Sequence, residues 1–222
     1  MTDAVDGDSD PIGTTDPESL PMFPLGTVLM PTGLLPLRLF EPRYLRFIED
    51  VLAAGNGFGV VLIERGSEVG GGDIRSMAGC LAEIVQADEL DDGRWALVAV
   101  GTGRIRVEGW LPDDPYPRAE VSDWPDPEPV DVAALTDAHQ ACVARLRRVL
   151  AMAVELGVDA DPMVELSDEP GPGSFQVAVL APFGAWDRQR VLVAPTVEDR
   201  VALVTELLAD QELMIRARLD DA

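Results

Sequence analysis

The residues that could do chemistry are few and mostly isolated. Gly101-Thr102-Gly103 has the opening spacing of a dinucleotide-binding loop. Such a loop needs a third glycine and must run into a helix N-terminus whose amides hold the pyrophosphate. Here no third glycine follows at that spacing and Arg104–Val107 reads as a strand, so the sequence predicts a bulge or tight turn. The single histidine, His139, lies three residues before Cys142, which puts both on one face of a helix. A structural zinc site takes four ligands, so this pair makes no metal centre by itself. One histidine, with no Ser or Cys in a nucleophile setting, does not make a catalytic triad. The adjacent acids Asp91-Asp92, Asp113-Asp114 and Asp220-Asp221 sit beside turns or at the chain end, where aspartate is favoured for bonding its own backbone. No catalytic residue, metal or cofactor is expected from these motifs.

Charge narrows the field further. All 17 basic residues are Arg, set against 40 acids for a formal net charge of −23. Without Lys there is no P-loop lysine, Ser-Lys dyad or Schiff base. The negative field repels a phosphate backbone, and Arg145, Arg147 and Arg148 read as the solvated face of an amphipathic helix, so nucleic acid is not an expected partner. Cys80 and Cys142 are far apart and lack CxxC spacing, which predicts neither a disulfide nor a zinc site and fits a reducing compartment. No apolar run reaches the length of a membrane span and the N-terminus carries no export signal, so the expected location is the cytoplasm.

The elements that must position any site divide the chain in two. Residues 1–20 are acidic and rich in Gly, Pro, Ser and Thr, predicting a flexible tail. Residues 21–124 read as β-rich, with strands expected over Thr27–Met30, Leu34–Leu39, Phe58–Glu64, Met77–Ala87, Arg94–Val100, Arg104–Trp110 and Arg118–Trp124, a glycine loop at Gly70–Gly72 and a hairpin turn at Asp92-Gly93. One helix interrupts them, started by Pro42 and capped by Gly55. Residues 125–130 form a Pro-rich connector, and residues 131–222 take up helical spacing. A long helix from Asp131, short helices capped by Ser174 and Asp187, and a last helix behind a Thr196/Asp199 capping box are expected there. The fold class is α+β.

Trp95, Trp110, Tyr116 and Trp124 all fall in or between the late strands. Core packing explains aromatics at such positions. The functional alternative is that some of them line a groove for extended polypeptide.

Pro21-Met-Phe-Pro-Leu-Gly-Thr-Val-Leu-Met-Pro31, then Leu35-Pro-Leu-Arg-Leu-Phe-Glu-Pro-Arg-Tyr44, Phe58-Gly-Val-Val-Leu-Ile63, Met77-Ala-Gly79 and Val100-Gly-Thr-Gly-Arg-Ile-Arg-Val107 occur in this order. Together they resemble the N-terminal, substrate-binding domain of the Lon proteases. The resemblance implies a PUA-like pseudo-barrel followed by a helical bundle, with a role in recognising polypeptide. Within it, Phe40-Glu41-Pro42-Arg43-Tyr44 reads as an architectural strand-to-helix junction, with Phe40 and Tyr44 inward and Glu41 near the helix N-terminus or paired with an Arg. The chain departs from full Lon proteases in having neither the nucleotide-binding motif nor the Ser-Lys dyad, and from cereblon-like relatives in lacking zinc-binding cysteines.

Two functions stand against each other at this level. One is a stand-alone, non-catalytic binder of unfolded or partly folded polypeptide, an adaptor or chaperone-like protein serving a separate protease or chaperone, which requires an exposed apolar patch on the barrel. The other is a small-molecule-binding or catalytic domain, which requires a closed cavity between barrel and bundle with convergent polar groups.

Overall fold

The computed structural model describes residues 19–55, 57–66 and 72–220. Of the tail expected over residues 1–20, residues 1–18 lie outside the described residues, as do Gly70, Gly71 and Asp221, while Leu20 already belongs to the first strand. The elements run β1 (Leu20–Leu25), β2 (Leu34–Leu39), α1 (Pro42–Ala54), β3 (Gly57–Arg65), β4 (Ile74–Glu89), β5 (Trp95–Trp110), β6 (Arg118–Asp123), α2 (Val132–Glu155), α3 (Pro170–Leu180), α4 (Ala185–Leu192) and α5 (Val197–Asp220). This is the expected α+β arrangement of a mixed six-stranded sheet and helices.

The strands are ordered β2-β5-β4-β3-β1-β6, and β6 pairs back onto β5. Five strands therefore close into a barrel. Closure works because β5 is long: its first half carries β2 and its second half carries β6. Gly101-Thr102-Gly103 lies between the halves, where the register with β4 slips by one residue and leaves Thr102 unpaired. The spacing is thus a bulge, which bends a strand that must serve two partners. A Cβ on Gly101 would overlap the Met30 carbonyl, so the close approach also demands glycine.

Helix α1 plugs one end of the barrel. Pro42 occupies its first turn, Gly55 ends it with φ 114°, and Tyr44, Phe47, Ile48 and Val51 point inward. Phe47 is fully buried and meets Phe23, Phe58 and Tyr116 edge-on at 5.3–5.5 Å between ring centres.

Four expectations are corrected here. The first strand is Leu20–Leu25, not Thr27–Met30: Val28, Leu29 and Met30 are buried in the connection to β2, and β1 tolerates Pro24 in its short parallel pairing with β3 and Pro21 opposite Arg118 of β6. Residues 94–100 and 104–110 are one strand rather than two. Ser174 does not cap α3 but sits inside it, fully buried, while Asp187 lies in the first turn of α4 behind Gly184.

After the connector, Asp131 caps α2 by accepting from the Ala134 amide at 3.0 Å. Thr196 caps α5, its Oγ1 accepting from the Asp199 amide and donating to the Asp199 carboxylate. The bundle core runs through Leu146, Val149, Phe175, Val191, Val204 and Leu208 and takes in Val28, Met30 and Leu62 from the barrel. The two halves therefore share one continuous apolar contact, worth about 25 cal/mol for each Å² removed from water.

Candidate polypeptide-binding edge

The four predicted aromatics do not converge. Trp95 opens β5 and Trp110 ends it, about 50 Å apart along the strand. Trp95 pairs with Leu39 and packs partly against the barrel core. Trp110 carries the Arg75 guanidinium at 4.8 Å, and Trp124 is met by Arg104 at 4.4 Å and Arg106 at 4.1 Å from its ring centre. Tyr116 is corrected to a core residue: its ring is buried and its hydroxyl donates to Asp50 at 2.8 Å. Burial, then the bond to that carboxylate, raises its pKa.

The surface that stands out lies along β2. Among the described residues β2 pairs with β5 alone, so its outer edge is open. The amide of Gly101 donates to the carbonyl of Gly33 at 2.9 Å, and the register Leu34↔Val100 to Leu39↔Trp95 continues from that bond. In an antiparallel pair, bonded residues alternate. Residues 33, 35, 37 and 39 thus turn their backbone groups towards β5, and Leu34, Pro36 and Arg38 turn theirs outward. Pro36 fits this parity, since proline is tolerated where its missing amide faces an edge.

Apolar surface flanks the edge at both ends. Leu34 is 69% exposed and Phe40 62% exposed, far outside the usual range for such side chains in a core. The expectation that Phe40 points inward is therefore corrected: β2 ends before it, and only Tyr44 of the pair enters the core. Glu41 accepts from Arg43 Nε at 3.1 Å, and the Arg43 guanidinium lies 4.6 Å over the Tyr44 ring. Desolvation in this position raises the Tyr44 pKa, with the neighbouring Arg43 opposing it.

Two hollows share β2. One, of about 400 Å³, lies over the outer sheet face beside Pro36, Ala96 and Val98, with Arg38, Gln86 and Asp88 around it. The other, of about 140 Å³, is a slot between Phe23–Leu25 of β1 and Leu37–Phe40, floored by Tyr44. A further apolar groove of about 670 Å³ separates the N-terminal turns of α2 and α5. Its rim acids are already engaged as caps: Asp131 on Ala134 and Glu198 on the Val130 amide.

The seam between barrel and bundle is built differently. Its cleft holds about 250 Å³ beside Arg104, Trp124, Asp126 and Phe175. Arg104 is 4% exposed and donates to the carbonyls of Leu192 and Ala194 and to Asp126. The fully buried Arg200 reaches the same carboxylate at 2.6 and 2.9 Å and also donates to Ser174 Oγ at 2.8 Å. Burial lowers the Arg104 pKa, against the pull of Asp126. The charged groups beside this cleft thus spend their hydrogen bonds on one another and on backbone carbonyls.

His139 and Cys142 are both buried on α2, and His139 Nε2 meets the Ser167 carbonyl at 3.0 Å. Among the described residues no group of three or more His, Cys, Asp or Glu could hold a metal, and no helix is long and apolar enough to cross a membrane. One exposed aromatic escaped the sequence reading: Trp186 on α4, 67% exposed. The available signal was its place about 140° around the helix from Val191, whose side chain is buried.

Residues 19–210 match the family described as the ATP-dependent protease La (LON) substrate-binding domain. The chain belongs to that family. It is 32% identical over 213 residues to a Lon protease of Desulfosudis oleivorans, covering 90% of this chain and 25% of that one. It is 27% identical over 211 residues to Lon protease 2 of Sorangium cellulosum, covering 91% and 26%. This Lon-family chain thus spans about a quarter of the length of these curated relatives. The crystal structure of a Lon N-terminal domain protein from Xanthomonas campestris superposes with a TM-score of 0.60 at 29% identity, covering 86% of this chain and 97% of that one. The N-terminal domain of the Mycobacterium avium complex Lon protease matches in fold, with a TM-score of 0.60 at 21% identity and coverage of 87% and 99%. The matching region is the substrate-binding part of Lon and not its catalytic part.

Proposed function

We propose that this chain is a non-catalytic, cytoplasmic polypeptide-binding module that holds unfolded or partly folded clients for a separate protease or chaperone. The observation that carries the reading is the open β2 edge with Leu34 and Phe40 exposed beside it, on a domain of the Lon substrate-binding family. Phe40 lines the apolar slot beside β2, and we read it together with Leu34 at the other end of the strand as one interaction surface. The seam weighs against a catalytic cleft, because Arg104, Asp126 and Arg200 spend their bonding capacity on one another. Trp95, at the end of β2, is the predicted aromatic best placed to report on a client, whereas Trp110 and Trp124 are engaged by arginines.

The test is a titration of the protein with a reduced, alkylated and permanently unfolded polypeptide, followed by tryptophan fluorescence at low and high salt. Saturable binding that survives high salt is the expected result. Binding that is absent, or that disappears with salt, overturns apolar client recognition.

A further inference from the structure

We propose that the β2 edge takes its client as an added β-strand, selecting extended segments with alternating apolar residues and a carboxylate placed opposite Arg38. This rests on the polypeptide-binding reading above and specifies its chemistry. The backbone parity supplies the bonding row: the amides of Leu34 and Arg38 are outward donors, and the carbonyls of Leu34, Pro36 and Arg38 are outward acceptors. Among the described residues, none of the turn or loop backbone bonds reaches these three. An extended segment laid alongside would satisfy them, its main chain giving affinity and alternate side chains giving selectivity.

The side-chain surroundings fit such a segment. Side chains on one face of the added strand fall towards the slot between Phe23–Leu25 and Leu37–Phe40, which has room for an apolar group. Those on the other face continue the sheet surface of Leu34, Pro36 and Arg38. Arg38 is exposed and makes no ion pair among the described residues, although the chain carries a net charge of −23. An unpaired cation on an apolar edge of so acidic a protein offers a local match for one client carboxylate.

Pro36 and Arg38 have a rival explanation. Proline and charge on an edge strand are common devices against unwanted pairing. An edge built only to repel would not be flanked by exposed Leu34 and Phe40. Pro36 removes a single donor and leaves its carbonyl and both neighbouring amides in place, so it limits the register of an added strand without closing the edge.

The probe is a fluorescein-labelled ten-residue peptide alternating Val and Thr, with one central Glu, titrated against the whole chain by anisotropy. Two further peptides carry N-methyl groups, on the odd or the even residues. Only one set of amides in an added strand faces β2, so one methylated peptide is expected to lose at least tenfold in affinity while the other stays within about threefold of the parent. The Arg38→Gln variant, its fold verified by circular dichroism, is expected to bind the parent about fivefold more weakly and to lose the preference for Glu over Gln. Equal affinities for the two methylated peptides, both high or both low, overturn strand addition. In that case the titration with unfolded polypeptide separates the two ideas: saturable binding there leaves client recognition standing, and its absence removes both.

Discussion

The barrel–bundle seam and the β2 edge contain the same kinds of groups and treat them in opposite ways. At the seam, Arg104 and Arg200 come from elements far apart in sequence and are removed from water, yet Asp126, three carbonyls and Ser174 take up their hydrogen bonds. Gln189 of α4 adds bonds to Ser76 Oγ and the Ala78 carbonyl, leaving its Oε1 the only unpartnered buried atom of that group among the described residues. At the edge, apolar side chains stay in water and outward backbone groups have no partner among the described residues. Burial of polar groups is tolerable only when they are paired, so the seam has been completed by folding. The edge is incomplete in a way that folding alone does not correct. Structural and binding surfaces are distinguished here by which groups remain unsatisfied, not by which are polar.

The sharpest way to break the comparison is at Asp126. Replacing it with Ala strands two buried guanidinium groups at once. Losing one partner of a buried pair costs about 3–5 kcal/mol, so Asp126→Ala is expected to lower the denaturant midpoint sharply. Asp126→Asn, which keeps an acceptor, should lose less. Affinity for unfolded polypeptide, measured on the fraction that stays folded, should not change. A drop under about 1 kcal/mol would mean that the apolar contact through Val28, Met30 and Leu62 holds the halves together without the arginines.

The edge should answer in reverse. Leu34→Asp with Phe40→Asp removes the exposed apolar flanks and adds charge where a client would lie. Client affinity is expected to fall about tenfold, or about 1.4 kcal/mol. Stability should move by less than about 0.5 kcal/mol, as for surface changes in general. A fall in stability with unchanged affinity would transfer these residues to the structural side.

What was legible in the sequence follows the same division. Local signals were readable because their physics is local: Pro42 and Gly55 bound α1, Asp92-Gly93 forms the turn with Gly93 at φ 77°, and Asp131 and Thr196 cap α2 and α5. The Lon resemblance was readable for a related reason, since its motifs fall at the β1–α1 approach and at the β5 bulge, where backbone geometry restricts residue choice. Non-local pairing was not readable. The burial of Arg104 depends on Asp126 and on the α4 terminus, about 90 residues away. The open side of β2 follows from strand order, and Phe40 was misplaced because an apolar residue next to a strand looks inward until the strand is known to have ended.

A third polar group lies between the two extremes and should give the smallest effect. Arg75 at the start of β4 donates to Asp73 at 2.6 Å and to Asp113 at 2.7 Å while lying over Trp110. It is paired like the seam, but Asp113 remains partly open to water like the edge. Burial pushes the Asp73 pKa up, yet the bonds from Arg75 outweigh this and hold it below the ordinary value. A depressed folded-state pKa stabilises the protein above the unfolded value, about 3.9 for Asp, and that contribution is lost as pH falls through the lower folded value. The difference in denaturant midpoint between the wild type and Asp73→Asn should therefore be level from neutral pH to about pH 5 and shrink below about pH 4. Its size at neutral pH should be about 1 kcal/mol, because Arg75 keeps Asp113 as a second acid when Asp73 is neutralised. A gap that stays constant into strong acid would show that Asp73 acts through the shape of its turn, and that the charge on this third site resembles neither the seam nor the edge.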